Sequence, residues 1–414
     1  MTAAAVIAAL LFGAGCSAPQ APPHGGEGSG GTRTATAPGV SHVTSPSTSS
    51  TPTTSPGATT PARATCAERI VDRLSAAERV GQLIMVGLDV GADPASLDNL
   101  MTRRHVGGVF FRAGWYDGSA PVRSATRHLA DLAGSGSGAG LGPLLAADQE
   151  GGAVQQLRGQ GFTRFPAAIE QGELTPSQLR ATATTMARQL KAAGIDVDLA
   201  PVADTVPEDM ISDNAPIGRL GREFSSDPDQ VARMVPAFIG GLHAGGVASA
   251  AKHFPGLGRV TSNTDLSSSG ITDRTTSSTD PYLRPFAAAI ASGTDLVMVS
   301  SAIYTRLDPQ TNAVFSRAVI TDLLRGRLGY RGVVISDDLG VAKAVAAVPT
   351  GERAVRFVAA GGDIVLTARP STVTGMYGAL LSRMSADRSF AAKVEAAAQR
   401  VVALKVRLGL ARCG

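Results

Sequence analysis

From Arg69 onward the chain alternates short apolar runs with longer Ala/Leu/Arg-rich segments of helical spacing, and the apolar runs number eight. They cover residues 82–88, 106–112, 143–148, 197–204, 247–252, 295–301, 333–337 and 363–367. Each is too short for a helix and rich in Val, Ile, Leu and Ala without polar alternation, which is how a strand buried on both faces reads. Between them, segments such as 176–193, 228–244 and 282–292 keep apolar residues at helical spacing. Strand then helix, repeated eight times, predicts an α/β fold of the (β/α)8 barrel type. The competing arrangement is a doubly wound sheet. No strand runs into G-x-G-x-x-G, and the nearest match, GLGRVT at 256–261, ends in Thr261.

At the C-terminal ends of these runs stand Arg112, Asp148, Asp204, Lys252 with His253, and Asp337 with Asp338. That is the face on which barrel enzymes carry their chemistry. A lone Asp at a strand end commonly caps the next helix, a reading that serves Asp204 and Asp363. Lys252 and His253 close an apolar run just before Pro255, Gly256 and Gly258, which forbid its continuation, so both are expected where strand becomes loop. Neither G-x-S-x-G nor a phosphate-binding G-x-x-x-x-G-K-[ST] occurs. No metal-ligand cluster stands out, and no cofactor is called for.

With 414 residues, 43% of them hydrophobic and 17% charged, the chain can hold one large domain or two small ones. A net charge of +4 without a dense Lys/Arg run and interleaved aromatics gives no support to nucleic acid as a partner. Residues 3–15 form an apolar stretch of signal-peptide length, too short to span a bilayer, that ends in small residues before Cys16. Export follows. LFGAGC at 11–16 resembles a bacterial lipoprotein processing site, which implies that Cys16 carries the lipid and anchors the protein outside the cell membrane. Residues 17–64 are dominated by Ser, Thr, Pro and Gly and bury too little apolar area to fold, so they read as a disordered tether, or equally as the linker of a secreted protein. The folded domain then covers 65–414. Cys66 and Cys413 stand at its two ends, which a closed barrel brings together, and in an oxidising setting they are candidates for a disulfide.

KHFPGLG at 252–258 resembles the KHFPGHG segment of family 3 glycoside hydrolases, specifically the single-barrel β-N-acetylglucosaminidases. LSAAERVGQLIMVG (74–87), GGVFFR (107–112), DQEGGAVQQLR (148–158), LAPVAD (199–204), IGRLGREFSSDP (217–228) and VVISDDLG (333–340) extend the likeness, in order, across residues 70–370. The resemblance implies a retaining glycosidase that releases β-linked N-acetylglucosamine from peptidoglycan fragments. In such an enzyme one group attacks the anomeric carbon while a second protonates the leaving oxygen. By that resemblance Asp337 is the nucleophile and Asp338 a capping or orienting residue. Asp148, Arg222, Lys252 and His253 then bind the sugar, and Gly151 and Gly152 let the backbone approach it. One departure matters. Where these enzymes carry Asp-Ser-His, this chain has Asn263-Thr264-Asp265, and its histidines are confined to His24, His42, His105, His128, His243 and His253. Asp265 is therefore the available proton donor, with Asn263 placed to orient it. Two alternatives stay open: another family 3 β-glycosidase such as a β-glucosidase or β-xylosidase, and a carbohydrate-binding lipoprotein whose catalysis is impaired.

Overall fold

A computed structural model describes residues 64–134 and 140–413. The apolar stretch 3–15 expected to direct export, Cys16 and nearly all of the Ser/Thr/Pro/Gly stretch lie outside the described residues. Eight parallel strands form one sheet: β1 Ile84–Asp89, β2 Gly108–Arg112, β3 Leu144–Ala147, β4 Val197–Asp198, β5 Ala248–Phe254, β6 Leu296–Val299, β7 Val333–Ser336 and β8 Val365–Thr367. Their order, β7-β6-β5-β4-β3-β2-β1-β8, is the order of a barrel opened at one seam. A parallel bridge between Ile335 and Ile364, with Ser336 N–H donating to the Ile364 carbonyl at 2.9 Å, closes that seam.

Residues alternate between the two faces of the sheet, apart from an irregularity between Ala251 and Phe254 in β5, and both faces are buried. Leu144 and Ala146 point into the barrel with Met85, Phe110, Leu296, Met298, Val333 and Ile335. Leu145, Ala147, Val297, Val299 and Val334 point outward into the layer of helices. The helix Pro228–Ala244 spans the segment expected from its spacing, and Pro176–Ala192 ends one residue short. The stretch after β6 instead winds into a π-helix, Ala318–Arg327. The last helix, Arg388–Arg407, plugs the N-terminal mouth with Val401 and Leu404. Its fully buried Lys405 donates to Gln82 Oε1 at 2.5 Å, and burial pulls that ammonium down to about 7. A disulfide joins Cys66, at the start of the first helix, to Cys413, with their Cα atoms 5.6 Å apart.

Three expectations need correction. β4 is far shorter than the run at 197–204, because Pro201 brings no N–H to the ladder and only an isolated bridge from Val202 to Lys252 follows. β5 runs through Lys252 and His253 to Phe254, so both residues belong to the strand. Asp363 caps no helix. It lies buried below β8, where it accepts from Arg325 Nη2 at 2.6 Å, from the Val334 amide at 2.7 Å and from Arg400 Nε at 2.9 Å.

Candidate active site

The C-terminal mouth of the barrel opens into a cavity of about 650 Å³ lined by Arg112, Asp148, Arg222, Lys252, His253, Asp265 and Asp337 among others. Every catalytic and sugar-binding position marked in the sequence therefore faces one space, although these residues are spread over 190 positions of the chain, from 148 to 337.

Lys252 is 1% exposed and its Nζ stands 2.5 Å from Asp148 Oδ1 and 2.6 Å from Glu150 Oε1. On its other side Glu150 takes a two-pronged pair from Arg222, Nε at 2.8 Å and Nη2 at 2.7 Å. Arg222 is fixed further by donating Nη1 to the Pro216 carbonyl at 2.8 Å. Asp148, Lys252, Glu150 and Arg222 thus alternate in sign along one wall, and each buried charge touches an opposite one. Burial alone would push the Glu150 carboxyl up, but Arg222 and Lys252 outweigh it and hold it down at about 2. The same balance runs the other way for Lys252: burial disfavours its charge, and Asp148 and Glu150 more than restore it, so its pKa is raised.

Glu150 is the site residue that sequence reasoning missed. Its signal was parity. In the short strand Gln149–Gly151, residues two apart share a face, so Glu150 follows Asp148 into the site. Gln149 between them turns away and ties the hairpin, donating to the Leu157 carbonyl at 2.9 Å and accepting from the Leu157 amide at 3.0 Å. Gly151 and Gly152 have a packing reason of their own. Both have positive φ, and a Cβ at Gly151 would lie 2.3 Å from the Pro166 carbonyl oxygen, while one at Gly152 would meet Ala167 at 2.7 Å. The glycines let the hairpin pack on the chain behind it.

His253 owes its orientation to Asp204, which is fully buried and caps no helix. Asp204 Oδ2 lies 2.7 Å from His253 Nδ1, and Oδ1 accepts the His253 amide at 3.1 Å and the Leu257 amide at 2.8 Å. With Nδ1–H assigned to this carboxylate, Nε2 is the nitrogen left for the cavity. Arg112 reaches the cavity paired with Asp89 at 2.6 Å.

Asp337 follows β7 directly, its amide donating to the Val299 carbonyl at 3.0 Å, and its Oδ1 accepts the Asp338 amide at 2.9 Å. Asp338 turns back to accept the amides of Gly340 at 2.7 Å and Ala368 at 3.2 Å, locking the loop after β7 to the end of β8. Asp265 arrives from the long loop after β5. That loop is pinned to the loop after β7 by amide donation from Lys343 to the Asp265 carbonyl at 3.2 Å and from Ala344 to the Thr264 carbonyl at 3.0 Å. Asn263 bonds the Asp265 amide at 2.7 Å and not its carboxyl, so it shapes the turn.

The walls crowd the Asp265 carboxyl even though the residue keeps contact with solvent through the open mouth. Desolvation, followed by the negative charge of Asp338, pushes it up to about 6. Asp337 is likewise raised to about 6, by burial first and by the charge of Asp265 second. The charge of Asp265 thus resists ionisation of Asp337, and both carboxyls hold their protons further into the mildly acidic range than ordinary carboxyls do. A proton donor beside an ionised oxygen is what a two-carboxylate glycosidic cleavage needs.

Fold and site together define the class, a (β/α)8 glycosidase, with two carboxylates facing the cavity from the loops after β5 and β7. The chain belongs to glycosyl hydrolase family 3: the profile of that family's N-terminal domain matches residues 75–404. It is 38% identical over 237 residues to a beta-hexosaminidase of Stenotrophomonas maltophilia (strain R551-3), an alignment that covers 56% of this chain and 68% of that one. A crystal structure of a beta-N-acetylhexosaminidase from Beutenbergia cavernae DSM 12333 superposes with a TM-score of 0.78 at 42% identity, covering 80% of this chain and 99% of that one. A family 3 beta-N-acetylglucosaminidase from Paenibacillus sp. str. FPU-7 gives 0.71 at 28% identity, covering 82% of this chain and 64% of that one.

Proposed function

We propose that this chain is a retaining β-N-acetylhexosaminidase that works through a covalent glycosyl-aspartate on Asp337. The observation that carries the reading is that Asp337 and Asp265 line one cavity, each with its carboxyl raised to about 6. In the first step ionised Asp337 attacks the anomeric carbon while protonated Asp265 gives its proton to the departing oxygen. Asp265, now a carboxylate, takes a proton from water, whose oxygen displaces Asp337 and restores both groups. Asp148, Arg222, Lys252 and the Nε2 edge of His253 bind the hydroxyls of the sugar, held in place by Glu150 and Asp204. Names of the similar proteins support N-acetylhexosamine as that sugar. We extend the reading to peptidoglycan fragments and muropeptides as substrate, and to an exported protein tethered to the membrane through Cys16, on the strength of the apolar leader and the lipoprotein-like LFGAGC.

Asp337→Asn removes the attacking oxygen and almost no volume. It is expected to abolish turnover of aryl N-acetyl-β-glucosaminides while the protein still folds and binds sugar, and the wild-type enzyme is expected to release the β-anomer first, as read by NMR. Near-normal activity of the variant, or release of the α-anomer, would remove Asp337 from the nucleophile's role.

A further inference from the structure

Among the described residues five large hydrophobic side chains are exposed, and two of them, Leu220 at 42% and Leu266 at 71%, line the catalytic cavity. They come from different loops. Leu220 ends the short helical turn Gly218–Leu220, two residues before Arg222. Leu266 follows Asp265, with its amide bonded to the Asn263 carbonyl at 3.1 Å and the next amide, of Ser267, bonded to the same carbonyl at 3.0 Å. The turns that aim Arg222 and Asp265 inward therefore hold the two leucines at the opening. Their exposure brings no packing to the empty protein, and an apolar side chain fixed at the rim of a charged cavity gains only from what enters.

We propose that Leu220 and Leu266 form the leaving-group subsite and select substrates whose aglycone presents an apolar surface. This rests on the reading of Asp265 as the proton donor. The oxygen that Asp265 protonates is the one bonded to the aglycone, so the aglycone passes the residue adjoining Asp265 on its way out to solvent. The ionic wall of Asp148, Lys252, Glu150 and Arg222 suits the hydroxyl-rich sugar. The leucines suit a partner of different chemistry.

Methyl, butyl and hexyl β-glycosides share a leaving-group acidity, so differences among them report contact and not bond strength. The series is measured on N-acetylglucosamine and on glucose, with wild type, Leu220→Ser and Leu266→Ser. Both side chains are exposed enough for the variants to fold. Wild-type kcat/KM is expected to rise about 10-fold or more from methyl to hexyl, each further buried methylene adding its share, and each variant to cut that rise to about 3-fold. Which sugar is cleaved tests the proposed function, and the slope along the alkyl chain tests the subsite. A flat wild-type series, or variants that lose the same factor on all three glycosides, would overturn the subsite. So would a wild-type dimer in sedimentation that Leu266→Ser dissolves, because the rim would then belong to a second copy. Cleavage of neither series would overturn both readings.

Discussion

Asp204 Oδ2 lies 2.7 Å from Nδ1 of His253, while the other oxygen of the same carboxylate takes the amides of His253 and Leu257. One buried side chain thus sets both the ring's tautomer and the turn that ends β5. Asp204→Ala leaves two buried amides without an acceptor, at about 1–3 kcal/mol each, and frees the ring. We expect a marked drop in melting temperature and a loss of about 10²-fold in kcat/KM from misplacement. Asp204→Asn keeps an acceptor for the amides but meets Nδ1–H with a donor. It should recover most of the stability and little of the activity, which separates orienting the ring from holding the fold.

Glu150 is the joint between Lys252 and Arg222, and it is 4% exposed. Removing one member of a buried ion cluster leaves its partners uncompensated, so Glu150→Gln is expected to cost about 3–5 kcal/mol in denaturant unfolding. Its folded pKa of about 2 lies below the ordinary 4.5, so the wild-type protein gains stability from it above pH 4.5 and loses that gain as pH falls towards 2. The variant should show a flatter acid limb across that window. Asp148→Asn, at a more open position, should weaken sugar binding with a smaller loss of stability.

Asp265 offers a test that depends on the leaving group. Asp265→Ala is expected to lose about 10²–10⁴-fold on an unactivated disaccharide and much less on glycosylation by an aryl glycoside with a good leaving group. Azide should then speed breakdown of the glycosyl-enzyme. Equal losses on both substrates would mark the residue as structural.

The same pair predicts a pH shift. Because the charge of Asp265 helps raise Asp337 to about 6, Asp265→Asn should move the acid limb of kcat/KM for an activated aryl glycoside to lower pH, towards the ordinary carboxylate range. The sign for stability is the reverse of the Glu150 case. A carboxyl raised above 3.8 holds a proton the unfolded chain has lost, so it lowers stability as pH rises from about 4 to 6. Asp337→Asn should accordingly melt higher than wild type at pH 7, and an unchanged or lower melting temperature would contradict the raised pKa.

The bridge between Cys66 and Cys413 ties the first helix to the chain's end across 347 residues of separation. Reduction is expected to cost about 2–5 kcal/mol, read as a drop in melting temperature that Cys66→Ser with Cys413→Ser reproduces.

The barrel was legible because a strand covered on both faces must be apolar at every position, so each of the eight runs advertises itself without help from its neighbours. Their ends were less legible, since Pro201 shortens β4 by withholding one donor while β5 carries on through His253. Lys252, His253, Asp148 and Asp337 stood out as polar residues where apolar runs stop, Asp265 only through the family resemblance, and the structure brings all five to one cavity. What a local pattern cannot carry is partnership across the barrel. Glu150 becomes a buried anion only because Arg222 and Lys252, 72 and 102 positions further on, close around it. Asp204 reads as a helix cap until β5 places His253 against it. The influence of Asp265 on the Asp337 carboxyl exists only where two loops meet, because charges interact through space and not along the chain.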